Sequence, residues 1–265
     1  MPRLNAGKKL QGGLKMNKYT IKYEFLNTLY NGYAFFFGAV FPIMLLHLIV
    51  RGSLQDVPAA YKSEAITGVF IGMAMLIPLA SIFLSHAATY SNELDKNVPE
   101  RIILFGFSER SILMNKLISN FIFLTFCMII YFAGTIPFLK MEKPTAAAAA
   151  LWLVGMYLLS ALLMILSHGI ATLIRKFGPT YGVVMALYFI MMILSGYMGI
   201  QTSKLPDFLK PVSDLLPTTQ LGNDYIKFWM GKEYNFGPLV QSMLFFGALS
   251  LIVLLIAFKV RGRKR

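Results

Sequence analysis

Charge is scarce in this sequence. Of 265 residues only 14% are Asp, Glu, Lys or Arg, whereas 57% are of hydrophobic type. A soluble domain carries about 25% charged residues and breaks its core segments with them every few positions. Cysteine is scarcer still: Cys127 is the single one, inside an apolar run. One thiol excludes a disulfide within the chain, paired-thiol redox chemistry and a cysteine zinc site, and leaves a small packing residue. No G-x-S-x-G, no H-E-x-x-H and no acidic cluster suited to Mg²⁺ occurs, so hydrolytic and metal-assisted chemistry lack their residues. Gly7-Lys8-Lys9 falls short of G-x-x-x-x-G-K-[ST], which leaves the chain without a Walker A loop for ATP. Ser167 and His168 do not make a nucleophile–base pair, because neighbours on a helix point about 100° apart.

What the chain does have is long apolar runs. Six of them, at about 33–50, 65–90, 117–139, 146–174, 181–202 and 236–258, are long enough to cross a bilayer as helices. Pro42 interrupts the first and Pro78 predicts a kink in the second. Within these limits no span contains Asp, Glu, Lys or Arg. Ion-driven transport, which places ionisable groups near mid-membrane, is therefore not expected of this chain alone. His47, His86 and His168 lie singly in different spans and read as interhelical hydrogen-bonding groups rather than catalysts. The alanine run at 146–150 starts the fourth helix, where small side chains permit close packing.

Charge distribution sets the topology. The net charge of +13 could mark a nucleic-acid binder, but the basic residues sit in short segments between apolar runs. Seventeen of the 25 Lys and Arg fall in the two termini, the 91–116 loop and the 175–176 turn, which the positive-inside rule assigns to the cytoplasm. Both ends are thus expected inside. Residues 1–18 read as a leader or disordered basic N-terminus, with Met16 a plausible natural start, and 259–265 as a basic cytoplasmic tail. Tyr19, Tyr23, Leu26 and Tyr30 recur at helical spacing and predict an amphipathic helix along the cytoplasmic interface. Pro179 is expected to mark the tight turn between the fourth and fifth spans.

Two polar segments are more than connectors. The first, 91–116, mixes charges with Ile102, Ile103, Leu104, Phe105 and Phe107, a pattern that either rests on lipid or presents an apolar face to a partner. The second, 203–235, carries Pro206, Pro211 and Pro217 and an apolar set too broken to span, so it is either an ordinary outer loop or a segment that dips into the membrane.

Asn92, Glu93, Glu100, Arg101 and Gly106, followed by Ser108 and Lys116, form an N-E-x-x-x-x-x-x-E-R-x-x-x-x-G pattern. With six spans and an interfacial helix before them, this resembles the ABC-2 type exporter permeases. Ser195, Gly196, Leu205, Pro206, Leu216 and Pro217 resemble a second family pattern after the fifth span. The resemblance implies an all-α integral membrane fold over 19–258. It implies a cytoplasmic coupling helix in 92–108, where Asn92, Glu93, Glu100, Arg101, Phe105 and Gly106 would meet an ATPase, and a re-entrant outer segment before the last helix. It further implies a dimer with a second permease copy or paralogue, a translocation path between them, and two copies of a separate ATPase chain that bind ATP and Mg. This chain would hold no cofactor and would sit, multi-pass, in a plasma membrane of bacterial type. A rival of another class is a membrane scaffold or assembly factor without a transport path, which would purify without an ATPase.

Overall fold

The computed structural model describes residues 18–198 and 202–262; the stretch 1–17, with the expected leader, and residues 263–265 of the tail lie outside the described residues. Every regular element among the described residues is helical, and six helices are long and apolar enough to cross a membrane. In chain order the ten helices among the described residues are α1 (Lys18–Leu29), α2 (Gly32–Gly52), α3 (Ala59–Asp95), α4 (Val98–Leu104), α5 (Glu109–Thr135), α6 (Ala146–Ile174), α7 (Phe177–Leu194), α8 (Lys210–Asp214), α9 (217–229) and α10 (Gly237–Gly262), with a single 3-10 turn, Thr202–Lys204, before α8. The spans are α2, α3, α5, α6, α7 and α10. Strict alternation of direction puts α1, α4, the α6–α7 turn and the end of α10 at one end of the bundle, here the basic end, and α8 and α9 at the other, the far end.

α3 is the central helix. Of its most apolar stretch 89% is buried, against 28–39% for the other spans, so the rest of the bundle wraps it. At about 1.5 Å per residue its 37 residues run to about 55 Å, well beyond a hydrocarbon core of about 30 Å. The helix therefore continues through Lys62 and Glu64 at the far end and through Glu93 and Asp95 at the basic end, segments whose polarity reads as loop in the sequence. Pro78 removes one backbone donor, and α3 turns tightly at Met75 and then widens into a π turn at Leu79–Leu84. A similar wide turn, Phe36–Val40, precedes Pro42 in α2. α5 starts earlier than its apolar run, at Glu109, because Ser108 caps it: its Oγ accepts the Ser111 N–H at 3.1 Å. Lys116 thus lies inside a spanning helix, which corrects the expectation of spans free of charge. Pro179 sits in the first turn of α7, where its missing donor costs nothing, and the chain turns instead at Arg175, with φ 60°, and Lys176.

Small residues set the tight contacts. α10 packs along α6, where a Cβ on Gly169 would lie 3.0 Å from the Leu254 nitrogen. Cys127 is fully buried in the core, as its apolar setting predicts. α9 folds back against α3 and α6: Leu221 fills the space left by Gly155, and Gly222 meets Tyr197, whose hydroxyl would be 1.9 Å from a Cβ there. The Tyr197 ring has no easy escape, because its hydroxyl donates to the Thr218 carbonyl. Gly222→Ala should therefore lower stability by about 1–3 kcal/mol. Gly52→Ala, which meets nothing within 4 Å, should leave it nearly unchanged, as read from thermal unfolding midpoints in detergent.

Candidate functional site

The basic end is built around a buried lysine. Lys116, only 3% exposed, donates to both carboxylate oxygens of Glu24 at 2.8 and 2.7 Å and to Glu93 Oε1 at 2.7 Å. The three residues belong to α5, α1 and α3, so one ammonium ties three elements. On α1 Tyr19 and Tyr23, with Tyr30 just beyond its end, are exposed as an interfacial helix requires, while Glu24 and Thr28 on the other side are buried. Phe25 assists from the same helix, meeting Phe123 and Phe126 edge-on at 6.3 and 6.2 Å between ring centres.

One turn deeper on α5, Asn120 continues the polar column. Its amide is 3.2 Å from His86 Nδ1, and His86 Nε2 is 3.3 Å from His168 Nδ1. Tyr90 stacks on both rings, with centres 4.4 Å from His168 and 5.5 Å from His86. The two histidines expected singly in different spans are therefore a pair linking α3 to α6. Together with Asn120 they form a hydrogen-bonded link across three spans, α3, α5 and α6.

The 92–108 segment forms a projecting tip. Asn97, with φ 53°, ends α3, and Gly106, with φ 90°, ends α4; the second conformation is one that side chains resist and glycine does not. Between them α4 exposes Leu104 (86%) and Phe105 (84%). Arg101 is exposed beside them. Glu100 is engaged elsewhere: its Oε1 accepts from Arg175 Nη2 at 2.7 Å, strapping α4 to the α6–α7 turn. Asp95 adds a second strap, accepting the Phe177 N–H at 3.3 Å, with Lys176 Nζ 3.7 Å away. Of the residues singled out in sequence, then, Glu93 and Glu100 hold the tip in place, Gly106 shapes it, and Arg101 and Phe105 face outward. Asn92 turns toward a cleft of about 590 Å³ between α1, α2, α3 and α7, lined also by Asn27, Tyr30, Tyr33, Ser85 and Tyr181, with no Asp, Glu, Lys or Arg in its wall among the described residues.

At the far end the second pattern is partly brought together. Ser195 Oγ lies 2.6 Å from Thr218 Oγ1 and accepts from Thr219 Oγ1 at 3.2 Å, and the Ser195 carbonyl accepts from Asn223 at 2.9 Å. Gly196, with φ 84°, reverses the chain after α7, and Pro217 is buried at the start of α9. Leu205 is buried, Leu216 half-buried and Pro206 exposed. Tyr225 anchors α9 by donating to the Ala148 carbonyl at 2.8 Å; burial pushes its hydroxyl up to about 12, which keeps it a donor throughout the neutral range. Glu24, Asn120 and Arg175 escaped the sequence patterns; the one available signal was an amide four residues after Lys116 in an otherwise apolar helix.

A central helix that overshoots the bilayer, a strapped tip at one end and a folded-back helix at the other define a polytopic membrane protein of the permease type. A family model described as ABC-2 family transporter protein matches residues 44–259, and the chain belongs to that family. It is accordingly a membrane component of an ABC transporter and not its ATPase. Comparison with individual curated proteins finds no match.

Removing one partner of a buried ion cluster leaves the others uncompensated. Lys116→Met should destabilise the protein by about 3–5 kcal/mol, and adding Glu24→Gln and Glu93→Gln should recover most of that loss. Unfolding midpoints of the single and triple variants in detergent test this; equal loss in both would contradict it.

Proposed function

We propose that this chain is the permease subunit of an ATP-driven exporter, with its basic end in the cytoplasm, working with a second permease copy or paralogue and two copies of a separate ATPase chain that bind ATP and Mg. The observation that carries this reading is the tip. Two large apolar side chains stand almost fully exposed at the end of a helix that the Glu100–Arg175 ion pair holds against the α6–α7 turn, which is the form of a surface meant to be covered and pushed. Force on α4 would pass through Glu100 and Arg175 to α6 and α7, and through α3 and the Lys116 cluster to α1 and α5, as rigid-body motion. The cleft between α1, α2, α3 and α7 supports a path. Its volume suits a drug-sized molecule, and an uncharged wall of tyrosines, amides and hydroxyls favours substrates that offer apolar and hydrogen-bonding groups. Facing copies of that cleft would enclose the route. α9, folded back at the far end, would be the re-entrant segment on the outer side.

The experiment is co-purification with the ATPase chain. Leu104→Ser with Phe105→Ser should reduce ATPase retention at least tenfold without changing the unfolding midpoint, whereas undiminished retention would contradict the proposal. Arg175→Gln should keep the ATPase bound but lower substrate-stimulated ATP turnover, because it cuts the strap and not the contact.

A further inference from the structure

The chain has two tryptophans, and both line one pocket at the far end. This pocket, of about 510 Å³, lies between α3, α5, α6 and α9. Its floor is aromatic: Trp152 meets Phe70 at 6.4 Å, Phe132 at 6.2 Å and Trp229 at 5.8 Å between ring centres. The two indoles differ in one respect. Trp229 Nε1 donates to the Glu142 carbonyl at 3.0 Å, while Trp152 Nε1, in a residue 1% exposed, has no acceptor among the described residues. A buried indole N–H without a partner carries a desolvation cost that an incoming acceptor would relieve.

The rim is basic. Lys140 and Lys143 line the pocket from the α5–α6 connection, both are exposed, and neither forms an ion pair among the described residues. The carboxylate of Glu142 lies on the same rim, leaving one positive charge in excess. The connection is held over the pocket from two sides, since the Glu142 N–H donates to Thr67 Oγ1 at 2.8 Å and its carbonyl takes the Trp229 bond. Sideways the pocket is bounded by two exposed apolar side chains, Ile136 just beyond α5 and Leu153 on α6.

We propose that this pocket binds an anionic phospholipid from the leaflet at the far end, with the phosphate-bearing headgroup at Lys140 and Lys143, an ester carbonyl at the Trp152 N–H and the upper acyl chain on the aromatic floor. Charge complementarity selects the headgroup. The apolar floor and the exposed apolar flank select a lipid over a free anion. The site would tie α9 to α3, α5 and α6 at the end opposite the ATPase contact, and it stands independently of the transport proposal.

With both tryptophans in the pocket, tryptophan emission excited at the red edge, beyond the absorption of the 13 tyrosines, reports on it. The full chain is reconstituted in phosphatidylcholine vesicles containing either brominated phosphatidylglycerol or brominated phosphatidylcholine at equal mole fraction, and quenching is compared. The anionic lipid should associate more tightly, by about fivefold per engaged lysine. Lys140→Gln with Lys143→Gln should bring the ratio to about one, while Lys210→Gln, at the same end but paired with Asp207, should leave it unchanged. Equal quenching by the two lipids, or a preference that survives the double substitution or falls equally with Lys210→Gln, would overturn the proposal.

Discussion

Lys116 carries an ammonium into a wall of packed helices, and burying an ion costs several kcal/mol unless partners replace the water it loses. Glu24 and Glu93 are those partners, and neither lies near it in sequence. The basic end follows from that pairing. α1 cannot lie on the membrane with its polar face out, because Glu24 must point inward; its tyrosines are turned toward the interface, where amphipathic rings are at home. α3 must continue beyond the bilayer to deliver Glu93, and in doing so it sets the height from which α4 projects. A cluster of this kind adds little net stability, but it admits few alternative arrangements of the three helices.

The two ends of the molecule are held differently. At the basic end, ions and hydrogen-bonded side chains link elements that are each helical on their own account. At the far end glycines at 155 and 222 admit Leu221 and the Tyr197 ring, and uncharged hydrogen bonds, among them Tyr225 to the Ala148 carbonyl and Trp229 to the Glu142 carbonyl, tie α9 down. An end fixed by charge pairs suits a region that receives force, since ion pairs transmit displacement between rigid helices. The far end, packed by shape, suits a boundary that opens only when whole helices move.

The six spans are legible in the sequence because a bilayer demands uninterrupted apolar length, and that demand leaves a strong signal. Helix limits are less so. A helix needs only its backbone bonds, so α3 runs on through Lys62, Glu64, Glu93 and Asp95, where hydropathy alone reads loop. The spacing of Tyr19, Tyr23 and Tyr30 identifies one face of α1, but the ion pair on the other does not show in the sequence, because Lys116 is 92 positions beyond Glu24. His86 and His168, 82 positions apart, likewise show as a pair only once α3 and α6 are packed. Gly106 and Gly196 were visible as pattern members, and their positive φ supplies the physical reason for them.

The coupling proposed for α4 is tested most directly by the distance between its tips in the assembled complex. With buried Cys127 replaced by Ala, a spin label at Leu104→Cys in a reconstituted permease–ATPase complex reports that distance by double electron–electron resonance. Coupling through α4 predicts a defined distance between two permease copies that shortens when ATP is added. A distance that does not respond to ATP, or the absence of any second copy within range, would contradict it.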